Sequence, residues 1–287
     1  MEANPDSALD VSWFRALISM GVNRLSLGVQ SLADQWLAAL GRPHSAAQAV
    51  ESYFLARKAG FANISVDFIW GLPGQSLRQW MEQLKRVKEM NPEHVSCYGL
   101  TVEPGTPLEA DVAAGLALPP EQEQSRMFVY GAEYLESEGW LQYEISNFAR
   151  MGFASRHNQG YWEGLDYLGL GPSAVSTIDN RRYTNSRFMD EYDAAVRGGF
   201  LAEEPEVLDE PTRLKEMIML ALRTTRGLGL KEHARRAGFD LTKTHAGLIQ
   251  ALHQNRLIRI KGGRLSLTKE GMAVSNVIIE RLALAEG

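Results

Sequence analysis

An aspartate stands inside an otherwise apolar run: residues 64–70 read I-S-V-D-F-I-W, with Asp67 at the centre. A carboxylate in such a place is costly unless something pairs with it or binds beside it. The stretch therefore carries a structural ion pair or hydrogen bond, or else a ligand. Glu2, Gln30 and Arg42 offer groups of related use. A carboxylate suits a ribose or an amine, an amide hydrogen-bonds in either sense, and a guanidinium takes a carboxylate. Together with Asp67 they fit a zwitterionic, nucleotide-like ligand, although Arg42, in G-R-P-H, fits a solvated loop equally well. A second cluster, H-N-Q-G-Y-W at 157–162, sets His157 beside Tyr161 and Trp162. An imidazole among aromatic faces can be the axial ligand of a flat apolar cofactor such as haem; a lone histidine is otherwise an ordinary surface or hydrogen-bonded residue.

The elements that must position these groups follow from the periodicity. The run 64–70 is short and rich in β-branched and aromatic residues, as in a strand of a parallel sheet buried on both faces. S-L-R-Q at 76–79 has the form of a capping box, and Leu77, Trp80, Met81, Leu84 and Val87 follow at helical spacing. The theme recurs. A helix over 9–20 precedes a strand over 24–29, a helix over 46–59 precedes the strand of Asp67, and a helix over 76–90 precedes a strand over 94–102. A helix over 121–138 then leads to a strand over 141–145. Strands alternating with helices imply βαβ crossovers and a parallel sheet, open or curled as in a barrel. Polar or small residues fall on alternate strand positions, at Ser26, Gly28 and Gln30, at Ser65 and Asp67, and at Ser96 and Tyr98. A period of two places each set on one face. Ligands sit at the carboxyl ends of such strands, where Gln30, Asp67, Thr101 and Glu103 fall.

After residue 145 the pattern changes. Gly160, Gly164, Gly169 and Gly171 suggest a tight loop, followed by strands over 174–178 and 182–185 around an Asp179-Asn180 turn and a helix over 186–197. We therefore read residues 1–205 as one domain and 206–287 as another, with helices over 212–225, 230–237 and 244–255, a hairpin about Gly262-Gly263 and a closing helix over 269–284. That is a winged-helix-like layout. Residues 206–287 hold 14 Lys and Arg against 9 Asp and Glu, whereas the remainder holds 16 against 26. The basic module invites a nucleic-acid reading. Its 244–255 helix has few long basic residues, however, and the whole chain is acidic at −5, so no nucleic-acid partner is expected.

The 287 residues are 45% hydrophobic and 23% charged, an ordinary globular composition. No apolar run reaches the ~20 residues of a membrane span, and the start M-E-A-N-P-D lacks the basic and apolar regions of a signal peptide. The one cysteine, Cys97, excludes an internal disulfide and fits a reducing, cytoplasmic setting. It also excludes a multi-cysteine metal or iron–sulfur site built from this chain alone. E-A-N-P at 2–5 reads as a strand end turning into a helix with no strand before it, which suggests an N-terminally truncated fold.

Several long motifs, in order, carry a resemblance. They are E-A-N-P at 2–5, L-S-L-G-V-Q-S at 25–31, L-G-R-P-H at 40–44, V-D-F-I-W-G-L-P-G-Q at 66–75 and L-T-V-E-P-G-T-P-L at 100–108. E-I-S-N-F-A-R at 144–150 and H-N-Q-G-Y-W with Y-L-G-L-G-P-S-A, both within 157–174, complete the set. Over essentially its whole length the chain resembles the radical S-adenosylmethionine family of oxygen-independent coproporphyrinogen III oxidases, and more closely the haem-chaperone branch of that family, HemW.

The resemblance implies an α/β fold, an incomplete curled (β/α)6 barrel of radical-SAM type followed by the small winged-helix-like domain. It implies S-adenosylmethionine contacts at Glu2, Gln30, Arg42, Asp67, Thr101 and Ile178. Haem is expected at His157, Asn158, Tyr161 and Trp162, with His157 as its iron ligand. The partners it implies are haem and acceptor haemoproteins of the respiratory chain, membrane-associated ones included. The alternative it leaves is a porphyrinogen oxidase. The family's [4Fe–4S] cluster rests on a C-x-x-x-C-x-x-C loop that belongs upstream of Glu2, and Cys97 cannot replace it. The chain alone is therefore expected neither to hold the cluster nor to run radical chemistry.

Overall fold

The computed structural model describes residues 1–7, 10–199 and 205–283, and the chain packs as two compact units, 1–154 and 155–287. The sequence-based boundary at 205/206 falls later than this division, so the segment with the H-N-Q-G-Y-W motif packs in the second unit.

The first unit runs β1 (Glu2–Ala3), α1 (Val11–Ser19), β2 (Leu25–Gln30), α2 (Asp34–Ala39), α3 (Ala46–Ala59) and β3 (Ile64–Trp70). It continues with α4 (Leu77–Met90), β4 (His94–Gly99), α5 (Pro107–Ala113), α6 (Glu121–Ser137), β5 (Leu141–Gln142) and β6 (Asn147–Ala149). Helix α1 is capped by Asp10, and residue 9 of the expected 9–20 helix lies outside the described residues. The capping box at Ser76 is present: Ser76 Oγ accepts from the Gln79 amide at 3.4 Å, and the Ser76 amide donates to Gln79 Oε1 at 2.9 Å. Asn91, left-handed at φ 54°, ends α4.

The strands form one open sheet in the order β1-β2-β3-β4-β6-β5. β1 to β4 are parallel, as the alternating pattern requires, and β1 supplies the strand end read from E-A-N-P. The strand expected over 141–145 is shorter, β5 at 141–142, and β6 returns between it and β4. β6 runs antiparallel to both β4 and β5. The Tyr143 amide donates to the Asn147 carbonyl at 3.2 Å, and so short a link cannot make a parallel crossover.

One face of the sheet is apolar. Leu25, Leu27, Val29, Ile64, Val66, Phe68, Val95, Cys97 and Phe148 pack there with Phe14, Tyr53, Trp80, Leu84 and Met127 from the covering helices. Burial of this area is the main stabilising term for the unit. Trp80 Nε1 donates to the Met127 carbonyl at 3.1 Å, tying α4 to α6. The two helices approach closely here, since a Cβ on Gly131 would lie 2.6 Å from Trp80 Nε1.

The second unit runs α7 (Arg156–Trp162), β7 (Val175–Ile178), β8 (Arg181–Thr184), α8 (Met189–Gly198), β9 (Glu206–Val207) and α9 (Glu210–Leu222). β10 (Leu228–Gly229), α10 (Leu230–Ala237), α11 (Leu241–Thr244), α12 (Ala246–Gln254), β11 (Ile258–Lys261), β12 (Arg264–Leu267), α13 (Lys269–Ala273) and α14 (Ser275–Ala283) follow. Asp179 and Asn180, at φ 50° and 60°, make the expected turn between β7 and β8, a conformation that twisted hairpins favour. The β11–β12 hairpin after α12 is the wing, and residue 284 of the expected last helix lies outside the described residues. The first part of the Gly-rich stretch read as a tight loop, residues 156–162, is instead helix α7. Ser155 Oγ accepts from the Asn158 amide at 3.3 Å and nucleates the turn despite Gly160.

Candidate functional site

The other face of the first unit's sheet is polar, and the strand register assembles it. Glu2 pairs with Ser26, Ser26 with Ser65, and Ser65 with His94; one step along, Asp67 pairs with Ser96 and Ser96 with Asn147. Residues from every strand between β1 and β6 thus share one surface with Asp67 at its centre.

Asp67 is neither in open water nor locked to a lysine. Its Oδ1 accepts from Ser96 Oγ at 2.6 Å, Ser65 Oγ at 3.1 Å and Ser26 Oγ at 3.2 Å, and its Oδ2 accepts from Ser26 Oγ at 2.9 Å. Oδ1 is therefore crowded with donors while Oδ2 keeps room for another. Burial pushes the Asp67 carboxyl above its usual range, the three hydroxyls pull it back, and the negative charge of Glu2 adds to the upward push.

Beside it, His94 Nδ1 is 2.8 Å from Ser65 Oγ and His94 Nε2 is 2.8 Å from the Tyr143 hydroxyl. Burial, with a contribution from Arg24, lowers the His94 pKa to about 3. Glu144 is buried and accepts from the Ser146 amide at 2.9 Å and from Asn147 Nδ2; burial raises its carboxyl. With Nδ2 turned to Glu144, the Asn147 Oδ1 is buried with no protein partner, an acceptor free to meet a bound group.

The register places Glu2 and Asp67 on this face together with Gln30, which ends β2 at φ 63°. Gln30 and Asn4 close in over Gly28: a Cβ there would lie 2.8 Å from Gln30 Nε2 and 3.0 Å from Asn4 Oδ1. Arg42 lies in the exposed turn after α2, and Thr101 is exposed just past β4. Ile178 is the last residue of β7, in the second unit. Sequence reasoning missed His94, Tyr143, Glu144 and Asn147. The strand period could have placed His94 and Asn147 on the face, but nothing local ties Tyr143 to a histidine on another strand.

In the second unit, α7 sets His157 and Tyr161 one turn apart on one side and Asn158 and Trp162 on the next. His157 is exposed, its ring edge-on to Tyr161 at 4.7 Å between centroids, and Tyr161 meets Tyr167 at 4.5 Å. The helix end is tied down by Arg226, which pairs with Glu163 at 2.9 Å.

A [4Fe–4S] cluster does not fit the residues present. Cys97 is the chain's single thiol, buried on the apolar face, and burial pushes its pKa up. Among the described residues no group of His, Cys, Asp and Glu could hold a metal ion. No helix among them is long and apolar enough to cross a membrane.

A parallel sheet with one polar face, followed by a winged-helix-like module, is the arrangement of a radical S-adenosylmethionine protein. Residues 3–108 match the Radical SAM superfamily and 208–274 match the HemN C-terminal domain. The chain belongs to the haem chaperone HemW family. It is 34% identical to haem chaperone HemW of Bacillus subtilis over 280 residues, covering 97% of this chain and 74% of that protein. It is 31% identical to haem chaperone HemW of Lactococcus lactis, covering 99% and 75%. Coproporphyrinogen III oxidase HemN from Escherichia coli shares the fold, with a TM-score of 0.78 at 20% identity over 99% of this chain and 69% of that one.

Proposed function

We propose that this chain is a cytoplasmic haem chaperone, taking up haem through α7 and passing it to acceptor haemoproteins of the respiratory chain, membrane-associated ones included. The observation that carries the reading is the exposed His157 imidazole, held edge-on by Tyr161 with Tyr167 behind it. A neutral imidazole is a good iron ligand, and Tyr161, Trp162 and Asn158 supply aromatic surface and an amide around the macrocycle. Haem is cargo in this scheme, so an open site suits its release.

The polar face of the first unit is the seat of S-adenosylmethionine. Its fit rests on the Asp67 Oδ2 and Asn147 Oδ1 acceptors. Glu2 and Gln30 line that face, and Arg42 and Thr101 are the other expected contacts within this unit. The ligand carries a sulfonium and an ammonium that carboxylates favour. The porphyrinogen-oxidase alternative requires a cluster for which this chain's single cysteine gives no donor set.

Titrating the purified protein with haem tests the reading. A saturable Soret shift is expected, lost in His157→Ala and weakened in Tyr161→Ala. An unchanged titration in His157→Ala removes the ligand assignment, and no shift in the unaltered protein removes the haem reading.

A further inference from the structure

Three hydrogen bonds run in series across the polar face, from the Tyr143 hydroxyl through His94 and Ser65 to Asp67. Their directions can be worked out. A carboxylate only accepts, so Ser65 spends its single proton on Asp67 Oδ1. Ser65 Oγ must then accept at its other contact, so His94 Nδ1 carries a proton. His94 is neutral over the ordinary pH range, so it holds one proton only, and Nε2 is left as an acceptor for the Tyr143 hydroxyl. Every donor in the series points toward the aspartate.

We infer that His94 and Tyr143 are positioning residues for Asp67: they fix the Ser65 hydroxyl so that Oδ1 is saturated from within the sheet and Oδ2 alone faces a ligand donor. The inference rests on the reading of this face as a ligand seat and says which oxygen does the binding. The ligand chemistry it selects is a single N–H or O–H donor, such as an ammonium or a ribose hydroxyl, approaching Oδ2. Ser96 donates to Oδ1 as well, and Ser26 bridges the two oxygens, so Oδ2 has one protein donor and keeps a direction for another. The other charged or titratable groups bearing on the pair are Glu2 from β1, Arg24 before β2, and Cys97 and Tyr98 from β4. None of them donates to Ser65, so the histidine is the one group that sets its direction among the described contacts.

The test begins with the unaltered protein. Nitrogen-15 NMR with labelled histidine is expected to show His94 protonated on Nδ1 and bare on Nε2; the opposite tautomer overturns the inference. Two variants follow, each checked for a native fold by circular dichroism. His94→Leu removes the donor, and His94→Asn restores an N–H close to the place of Nδ1. Carbon-13 NMR of labelled aspartate is expected to place the Asp67 midpoint higher in His94→Leu by about one pH unit, with His94→Asn close to the unaltered protein. Equilibrium dialysis with S-adenosylmethionine, run below the Asp67 midpoint of the unaltered protein, should show a roughly tenfold weaker affinity in His94→Leu, one pH unit being a factor of ten, with most of it regained in His94→Asn. A folded His94→Leu with an unchanged Asp67 midpoint overturns the inference. If the tautomer and midpoint behave as stated while the unaltered protein fails to bind S-adenosylmethionine, the ligand seat is lost and the positioning role stands.

Discussion

Asp67 and His157 are held in opposite ways. Asp67 sits at the middle of a six-stranded sheet, with hydroxyls from three strands on its carboxylate and a filled apolar core behind. His157 projects from a helix of seven residues, touches one aromatic ring edge-on and is exposed. A group held from every side loses little freedom when a ligand arrives, which suits a small resident molecule. An open imidazole gains and loses its partner with little rearrangement, and the dissociation rate largely sets how long such a partner stays. The contrast teaches that binding a cofactor and handing over a cargo ask for different degrees of support.

The sharpest way to break this comparison uses two tryptophans. Trp80, 1% exposed behind the sheet, should cost about 3–5 kcal/mol when replaced by alanine, and half-buried Trp162 less than about 1.5 kcal/mol. Urea unfolding measures both, and equal losses would erase the distinction. Ser96→Ala comes next. It removes the shortest hydroxyl contact to Asp67 and should cost roughly 1–3 kcal/mol while moving the Asp67 midpoint upward.

The pH dependence sharpens the same point. Asp67 titrates above its unfolded value, so the folded state binds the proton more tightly. That contribution to stability is complete below the ordinary carboxylate range and is lost as pH rises through the raised folded pKa. Asp67→Asn removes the loss. Its stability relative to the unaltered protein should therefore improve as pH rises across that window; a constant difference contradicts the sign. The smallest effect belongs to His157→Ala, which should change stability by no more than about 0.5 kcal/mol while abolishing the Soret shift.

Much of this is legible in the residues alone. The run around Asp67 and the helix at 46–59 match β3 and α3 because strong periodicity and clear stops act locally. The serines that satisfy Asp67 are legible too, since a period of two and parallel pairing put Ser26, Ser65 and Ser96 beside it. The return of β6 between β4 and β5 is not, because a strand of three residues shows no periodicity and takes its orientation from the turn before it. Helix α7 is hidden by Gly160, whose weak helix propensity suggests a loop until the Ser155 cap and the packing of Tyr161 on Tyr167 are seen. Tyr143 is invisible for a third reason: its partner His94 lies 49 residues away, and only tertiary structure joins them.

Gly131 has a reach that its place on a covering helix does not suggest. With no room for even one methyl against Trp80, this position sets the spacing between α4 and α6. Alanine there would act as a wedge, prying α6 away and dragging the indole off the back of the sheet. A residue on the far side of the core from the serines thereby becomes a lever on the flatness of the strands that carry them.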